Sequence, residues 1–548
     1  MIMKTKDAGK MPGRDGIVME KEIRKQSGLN KQYGQNHKKK WYVMILSALL
    51  LGCMLTITAC QKTPDEAPVV NKSEGLPKGC IIDKAKDGEI KQIDAPEHWK
   101  ETMERMDGRV TVEADVDIPR LSVSNTPVLE LEKAPFDNER LKKLTNYFFN
   151  GKKFYQKPPM TKEELSHQIT NIENKSGIYG EGTFLMMSKL EWKPRLEELL
   201  EKAPDKKPEK KYMDVEFSKP VESEMEYMWW GTENKMIRTE NNCFWAVVET
   251  GEKVEPIIKA FSLNEKAGTE GYFSYAVGEV HDEEGLDTEK EMCKWDRKNR
   301  YPQGSKFLDV KEEFLQRCEA AMENPAISMD DAIQKGDKIL KDLGITGLSL
   351  KKCMKAVWFP NPPICGFDYE DYADDLGENK AAYNLLYSWD LGGIPAYMPI
   401  RGTLHNNMPE LSYTPPFYQE RIEITVTEDG VVEFSWNNMA ELYQVVAENT
   451  KLLPFDKIKD RLAEHLQYIG LPPEGSGGVD KDQTVVTFEV KSAELKAAYS
   501  VAFNAPDHVW LIPVWVFEVQ SSFQGSEMYT FPETVFLNAI DGGFVNPS

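Results

Sequence analysis

The sequence lacks the residue patterns by which many catalytic and cofactor-binding proteins are recognised. It has no Cys-x-x-Cys pair and no His-x-x-x-His pair, so a structural zinc site is not expected. It also has no Walker A motif and no Gly-x-Gly-x-x-Gly fingerprint. The serine in residues 475–478 has neither the strand nor the helix that a nucleophile elbow requires. We therefore predict no catalytic residue, no cofactor and no metal ligand.

Basic residues are scarce relative to acidic ones. The chain of 548 residues carries 68 Lys and Arg against 89 Asp and Glu, a net charge of -21 at pH 7. Residues 1–59 hold eleven of the basic and four of the acidic residues, which leaves residues 60–548 with a net charge of -28. Phosphate binding needs a basic surface, so this balance argues against nucleic acid as a partner.

One long uncharged run stands near the start of the chain. Residues 41–58 follow the basic cluster 37–40, which is the pattern of a secretory signal peptide. The run leads into Leu-Thr-Ile-Thr-Ala-Cys at 55–60, which resembles the lipobox of bacterial lipoproteins. The resemblance implies that cleavage removes residues 1–59 and that Cys60 receives diacylglycerol. Two lipid chains anchor a protein stably, so we predict a cell-membrane location on the extracytoplasmic face.

Three alternatives remain open at this end of the chain. A second lipobox-like sequence ends at Cys53, but it would leave the apolar residues 54–57 after the cut. Eighteen uncharged residues can also just span a bilayer as an uncleaved helix. Forty residues are long for the segment before the apolar run, so translation could instead begin at Met19. We favour lipidation of Cys60, because the chain turns polar directly after it.

The remaining sequence divides by composition and pattern. Prolines and small polar residues interrupt the stretch after Cys60, and we predict a lipidated tether and linker over 60–107. A mixed α+β N-terminal domain is predicted over 108–307, followed by two units over 308–445 and 446–548. The apolar patterns predict strands near 110–116, 212–218, 225–230, 243–249 and 271–277 and helices at 138–150, after the capping box 161–164 and at 308–323.

The two C-terminal units form an internal repeat with an offset of about 115 residues. Each begins with a helix that has one apolar stripe, and each helix stops at a glycine, Gly344 or Gly470. Further matches follow in the same order: Lys-Ala-Ala-Tyr at 380–383 and 496–499, Ile-Pro at 394–395 and 512–513, and Asp-Gly at 429–430 and 541–542. Each unit therefore predicts a helix on an antiparallel sheet of three or four strands.

Specific equivalences follow from that alignment. Tyr383 should occupy the position of Tyr499, and Pro395 that of Pro513. The stretch 509–519 is almost entirely apolar, so it should form a central strand that is buried on both faces.

The repeat resembles the PepSY domain. The residues that carry the resemblance are 328–345, a capped helix ending in Leu-Gly-Ile, and 537–542, Leu-Asn-Ala-Ile-Asp-Gly. The whole chain also resembles a family of uncharacterised lipoproteins from low-GC Gram-positive bacteria. Together they predict an α+β, multi-domain fold with two tandem PepSY-like units in the C-terminal half. PepSY units occur outside the membrane, often as propeptides or as regulators of partner enzymes and kinases.

Several residues could carry further chemistry, and each has an ordinary structural alternative. The acidic loop 368–379 could bind calcium weakly, but without the Asp-x-Asp-x-Asp-Gly order a solvated loop is favoured. The aromatic residues at 229–230 and 413–418 could stack on sugars or grip a peptide, although adjacent strand residues point to opposite faces. Cys353 and Cys365 are the closest pair for a disulfide outside the membrane, but buried free thiols are favoured among Cys80, Cys243, Cys293, Cys318, Cys353 and Cys365.

The leading functional hypothesis is a non-catalytic surface lipoprotein that is held at the membrane through Cys60 and binds or regulates an extracytoplasmic protein partner. The alternatives are a ligand- or glycan-capturing surface lipoprotein and, with less support, a surface hydrolase.

Overall fold

The structure of the protein, a computed structural model, describes most of the chain from residue 76 to residue 545. The segments within this range that it does not describe are 77–78, 87–88, 179–192, 220, 230–231, 241–242, 253, 263–270, 302–303, 305, 361–378, 399–417, 470–484, 502–507 and 524–525.

The described residues form seven helices and twenty-one strands. The helices are α1 Asn138–Phe149, α2 Lys162–Ile178, α3 Lys193–Lys202, α4 Glu283–Asn299, α5 Lys306–Met322, α6 Met329–Leu343 and α7 Phe455–Ile469. The strands up to residue 282 are β1 Lys91–Gln92, β2 His98–Arg105, β3 Val110–Asp117, β4 Ser122–Val123, β5 Val128–Lys133, β6 Lys153–Tyr155, β7 Tyr212–Met213, β8 Val221–Trp229, β9 Thr232–Glu240, β10 Cys243–Glu249, β11 Ile257–Phe261, β12 Tyr272–Ala276 and β13 Glu279–Asp282. Those that follow are β14 Leu348–Phe359, β15 Lys380–Trp389, β16 Arg421–Thr427, β17 Gly430–Asn437, β18 Ala440–Ala447, β19 Val486–Val501, β20 His508–Phe523 and β21 Ser526–Asn538.

Two large sheets organise these elements. The ten-stranded sheet has the order β13-β14-β15-β16-β17-β12-β11-β10-β6-β7, and all of its neighbouring strands are antiparallel. The seven-stranded sheet has the order β18-β5-β20-β19-β3-β2, with β21 also paired to β20. Strands β1 and β4, and strands β8 and β9, form separate two-stranded ribbons.

The fold is α+β, and the C-terminal half contains two tandem units of one helix and an antiparallel sheet. In the first unit α6 precedes β14–β17, and in the second α7 precedes β19–β21. Helix α6 begins at the Ser328 cap, whose hydroxyl accepts a hydrogen bond from the Asp331 amide at 3.1 Å. It ends at Gly344, whose φ of 73° lies in the left-handed region that glycine tolerates. Asp429-Gly430 and Asp541-Gly542 each follow the third strand after the helix.

The residue equivalences predicted within the repeat are wrong. Tyr383 lies in the second strand after its helix, β15, whereas Tyr499 lies in the first, β19. Pro395 follows β15, whereas Pro513 lies inside β20. The connection between helix and first strand is four residues long in the first unit and sixteen in the second. The next connection is twenty residues in the first unit and six in the second. These unequal connections shift short motifs onto different strands, although the order of elements is kept.

The predicted domain limits remain predictions, but both large sheets are built from strands on either side of them. Strands from the range 108–307 extend the sheet of the first unit, and β3 and β5 pair with β19 and β20 of the second. Strand β2 lies within the range 60–107, which was predicted to be a linker. This part of the chain joins the seven-stranded sheet because the apolar side chains Trp99 and Met103 are buried in its core.

Although β15 and β16 are buried on both faces, the ten-stranded sheet has its main apolar core on one face. Helices α1 and α6 cover that face, and its core contains alternate residues of six neighbouring strands: Phe244, Ala246 and Val248, Ile258 and Ala260, Phe273 and Tyr275, Phe434 and Trp436, Ile422 and Ile424, and Leu385 and Tyr387. In contrast, β20 is buried along almost its whole length and contributes to cores on both faces of the seven-stranded sheet. This confirms the prediction of a central strand at 509–519.

A buried carboxyl group joins the cores of the two units. Glu420 is 1% exposed and accepts hydrogen bonds from the indole nitrogens of Trp389 at 2.6 Å and Trp436 at 2.7 Å. Trp389 belongs to the core beneath α7, whereas Trp436 belongs to the core beneath α1 and α6. The Glu420 amide also donates to the hydroxyl of Tyr499 in β19 at 3.3 Å. Burial raises the pKa of the Glu420 carboxyl to about 8, against the lowering effects of the indole hydrogen bonds and of Arg140.

The helix glycine Gly336 provides a test of the packing between α6 and the sheet. Alanine normally favours a helix by about 1 kcal/mol over glycine. At position 336, however, a Cβ atom would overlap the buried hydroxyl of Tyr387 and lie 2.7 Å from Leu385 Cδ1. We expect Gly336→Ala to lower the free energy of unfolding by about 1–3 kcal/mol in urea titrations. Adding Tyr387→Phe, which removes the overlapping hydroxyl, should recover part of that loss. A stabilised Gly336→Ala variant would contradict the packing described.

Glu420 should make the stability of the protein depend on pH. Its ordinary pKa is 4.5, so between pH about 4.5 and 8 the folded chain holds a proton that the unfolded chain has lost. The contribution of Glu420 to the free energy of unfolding should therefore be largest below that window and fall as pH rises through it, by at most about 5 kcal/mol.

The check is urea unfolding of the protein and of Glu420→Gln at several pH values in this window. The amide cannot ionise, so the difference between the two proteins should shift in favour of the variant as pH rises. Glu198→Gln serves as the control, because the exposed Glu198 carboxylate pairs with Lys202 at the surface of α3. Parallel pH profiles for all three proteins would show that Glu420 does not titrate abnormally.

Candidate binding cleft

Helix α4 forms one wall of a cleft that the described residues line. Asp282 caps the helix, since its buried Oδ1 accepts a hydrogen bond from the Gly285 amide at 2.8 Å. Glu283 and Glu284 occupy the first turn, where the helix dipole favours negative charge. Leu286 and Cys293, two turns apart, are buried in a core shared with α5. The helix is therefore fixed from one side and leaves another side exposed.

The exposed side of α4 carries large apolar side chains. Met292 and Trp295 are 53% and 54% exposed, and with Thr288 and Glu284 they follow the spacing of one helical face. The guanidinium of Arg300 lies 5.0 Å from the centre of the Trp295 ring. This face borders an open groove that is also lined by Lys352 and Met354 of β14 and by Glu283, Asp287 and Glu291.

At the N-terminal end of α4 the groove continues into a more enclosed cavity of about 340 Å³. Glu284, Thr288, Lys352 and Met354 line both spaces, so the two form one continuous cleft. We call the groove and the cavity together the α4 cleft. Further residues from the sheet and from α4 line the enclosed end: Val280, His281, Asp282, Gly285, Glu289, Leu386, Met398, Arg421 and Glu423.

The α4 cleft is strongly acidic. Seven carboxylates and two cations, Lys352 and Arg421, line it, which gives a formal charge of -5. Lys352 Nζ lies 2.8 Å from Glu284 Oε2, and Arg421 pairs with Glu423. Both cations are thus held by carboxylates of the cleft itself. Three lysines beside the lining pair with further carboxylates and offset part of the remaining negative charge: Lys311 with Glu289, Lys290 with Asp287 and Lys294 with Glu291.

The cleft lies at one end of a polar sheet face. Strand pairing places seven side chains in one row across the ten-stranded sheet, in the order Lys352, Leu386, Glu423, Ser435, Ser274, Lys259 and Trp245. Six strand spacings make this row about 29 Å long. Trp245 is 52% exposed, and the Lys259 ammonium lies 5.2 Å from its ring centre. The three residues at the cleft end of the row, Lys352, Leu386 and Glu423, line the enclosed cavity.

Sequence patterns did not predict helix α4, and so they missed the cleft. Asp282 followed by two acidic residues is the pattern of a helix start, and the spacing of Leu286 and Cys293 would have indicated its buried side. Met292 and Trp295 could then have been placed on the exposed side. The contributions of β14, β15 and β16 could not have been found this way, because they depend on strand register.

Several residues singled out in the sequence lie outside the described residues. These are Cys53, Cys60, Met19, the apolar run 41–58, the acidic loop apart from Asn379, Trp230, residues 413–417, Cys365 and Gly470. The five described cysteines, Cys80, Cys243, Cys293, Cys318 and Cys353, are free thiols. Burial raises the pKa of Cys318 to about 12 and that of Cys353 to about 11, so both thiols stay protonated at neutral pH.

No group of three or more His, Cys, Asp or Glu side chains in the described part of the chain is placed to hold a metal ion. Among the helices that the structure describes, none combines the length and the apolarity needed to cross a membrane.

Comparison with known proteins gives only distant similarities. No protein-family model matches the chain. No curated protein matches it either. Among solved structures, an uncharacterized protein from Eubacterium rectale is 10% identical, with a TM-score of 0.33, and the match covers 83% of this chain and 94% of that one. The C-terminal domain of YpeB from Bacillus megaterium is also 10% identical, with a TM-score of 0.18, covering 56% and 89% of the two chains. Similarities at these TM-scores carry no argument about function.

Proposed function

We propose that this protein is a lipid-anchored lipoprotein of the extracytoplasmic face that binds a protein partner through the α4 cleft. The observation that carries the proposal is the exposure of Met292 and Trp295 on one face of a helix whose other side is firmly packed. Large apolar side chains contribute most to stability when buried, so two of them beside a cleft are typical of a surface that another molecule covers.

The length and polarity of the cleft favour a protein over a small ligand. Glu284 and Trp295 are eleven residues apart on α4, which places them about 16 Å apart along the helix axis. Beyond the cleft, the row of side chains continues from Glu423 across four strand spacings, about 19 Å, to the exposed Trp245. Such a surface suits the mixed polar and apolar contacts of a protein interface.

The anchor rests on the sequence. The lipobox-like residues 55–60 end in Cys60, and the first described residue is Leu76. The fifteen residues between them could extend over at most about 50 Å. A tether of this length would allow the α4 cleft to reach partners in the membrane or near its surface. The PepSY-like order of the two C-terminal units also supports a regulatory or binding role, since PepSY units act outside the membrane on partner proteins.

Replacing Cys60 tests the anchor. Cys60→Ala should abolish incorporation of labelled fatty acid and leave the protein either released or unprocessed, as judged by fractionation and immunoblotting. Cys53→Ala is the matched control and should change neither labelling nor location. If Cys53→Ala alone abolishes labelling, the lipid is attached at the other cysteine.

Site-specific cross-linking tests the binding role. A photo-reactive amino acid at position 292 or 295, in cells that make the protein, should give a discrete adduct with one protein partner. The adduct formed from position 292 should be lost when Trp295 is replaced by Ala, because both side chains would contact the same partner.

Position 468 provides the control for this experiment. Tyr468 is 78% exposed but lies on α7, away from the α4 cleft. A photo-reactive residue there should not give the same adduct. Equal adducts from positions 292 and 468, or none from 292 and 295, would contradict partner binding at the cleft.

A further inference from the structure

We infer that the α4 cleft receives a segment of the partner that combines Lys or Arg side chains with a large apolar side chain. This inference rests on the proposed function and adds the chemistry of the occupant. The apolar side chain would lie against Met292 and Trp295, and the cations would lie along the carboxylates toward the N-terminal end of α4.

The place at which an apolar side chain of the occupant would bind follows from the two exposed side chains, Met292 and Trp295. Trp295 presents its ring beside the cleft, and the Arg300 guanidinium lies near that ring. Met292 has an unbranched, polarizable side chain that adapts to the shape of whatever packs on it. Met354 of β14 lines the same groove, so an entering aliphatic or aromatic side chain would find apolar contacts on both α4 and the sheet.

The positive charge of the occupant follows from the charge of the cleft. Lys290 and Lys294 lie near Asp287 and Glu291, at 3.4 Å and 2.6 Å. Asp287 and Glu291 are 77% and 72% exposed, and such exposed pairs between neighbours on one helix hold their partners weakly. Cations of an incoming segment can therefore replace Lys290 and Lys294 as partners of these carboxylates at a small cost in free energy. An anionic segment would meet seven carboxylates instead.

The geometry also limits how the two kinds of side chain are spaced. Glu284 and Trp295 lie about 16 Å apart along α4. An extended segment covers this distance in about five residues and a helical segment in about eleven. Peptides of twelve residues are therefore long enough to test either conformation.

The experiment uses three labelled twelve-residue peptides that share two leucines and differ at four positions, which are all Lys, all Gln or all Glu. Binding to the full processed lipoprotein is measured by fluorescence anisotropy. We expect the Lys peptide to bind at least about tenfold more tightly than the Gln peptide, and the Glu peptide not to bind. Raising the NaCl concentration from about 0.05 to about 0.5 M should remove most of that advantage.

Variants of the cleft separate the two contributions. The double variant Asp287→Asn/Glu291→Gln should lower the affinity for the Lys peptide about tenfold and leave the affinity for the Gln peptide unchanged. Trp295→Ala should lower the affinity for both peptides. These side chains are exposed, so the melting temperatures of the variants should stay within a few degrees of the parent protein, which separates lost binding from lost folding.

Matched controls address the general acidity of the chain. Glu197→Gln/Glu198→Gln on α3 removes two exposed carboxylates that also pair with lysines of their own helix. Tyr468→Ala removes an exposed aromatic ring elsewhere. Neither control should alter peptide binding. Equal losses from the control and cleft variants, or equal binding of the Lys and Glu peptides, would overturn the inference. If the Lys and Glu peptides bind equally but a cross-link forms from position 292, the proposed function stands and only the cationic character of the occupant is overturned.

Discussion

The alternation of side chains along each strand is the constraint from which the α4 cleft arises. Successive residues of a strand point to opposite faces, so a sheet that buries one set of residues must present the other. In the ten-stranded sheet, α1 and α6 cover the apolar set. The opposite set is more polar. It is buried on β15 and β16, where Asn384 and Glu423 lie, and α4 borders it at that end. A cavity forms where that helix meets the polar face, between Glu284 and Thr288 on α4 and Arg421 and Glu423 on β16.

The same strand end connects the cleft to the rest of the molecule. Glu420 directly precedes Arg421, and its carboxyl group is held between Trp389 and Trp436 in the cores of the two units. A buried carboxyl group with two indole donors accepts few alternative arrangements, because any displacement leaves buried polar atoms without partners. The backbone that carries Arg421 is thus positioned by the junction between the units.

Local features of the sequence were sufficient to predict most helix positions but not to predict which strands pair. The Ser328 cap, the Gly344 stop and the capping box at Thr161 all appear where short-range hydrogen bonding requires them. Helix α4 was overlooked although its cap is equally local. The equivalence of Tyr383 and Tyr499 failed because register depends on connection lengths that motif matching ignores. The row from Lys352 to Trp245 could not be predicted at all, since its members are brought together only by strand pairing.

The two units share an order of elements, but the α4 cleft lies on the sheet of the first unit only, among the residues that the structure describes. In the second unit, β20 contributes to apolar cores on both faces, one beneath α7 and the other against Leu76, Cys80 and Tyr397. Strands β15 and β16 of the first unit are also buried on both faces. The first unit differs because β10, β11 and β12 extend its sheet, where Trp245 and Lys259 are exposed, and because α4 forms a cleft at the other end of the same face. The described residues therefore favour a division of roles, in which the second unit supports the fold and the first presents the cleft.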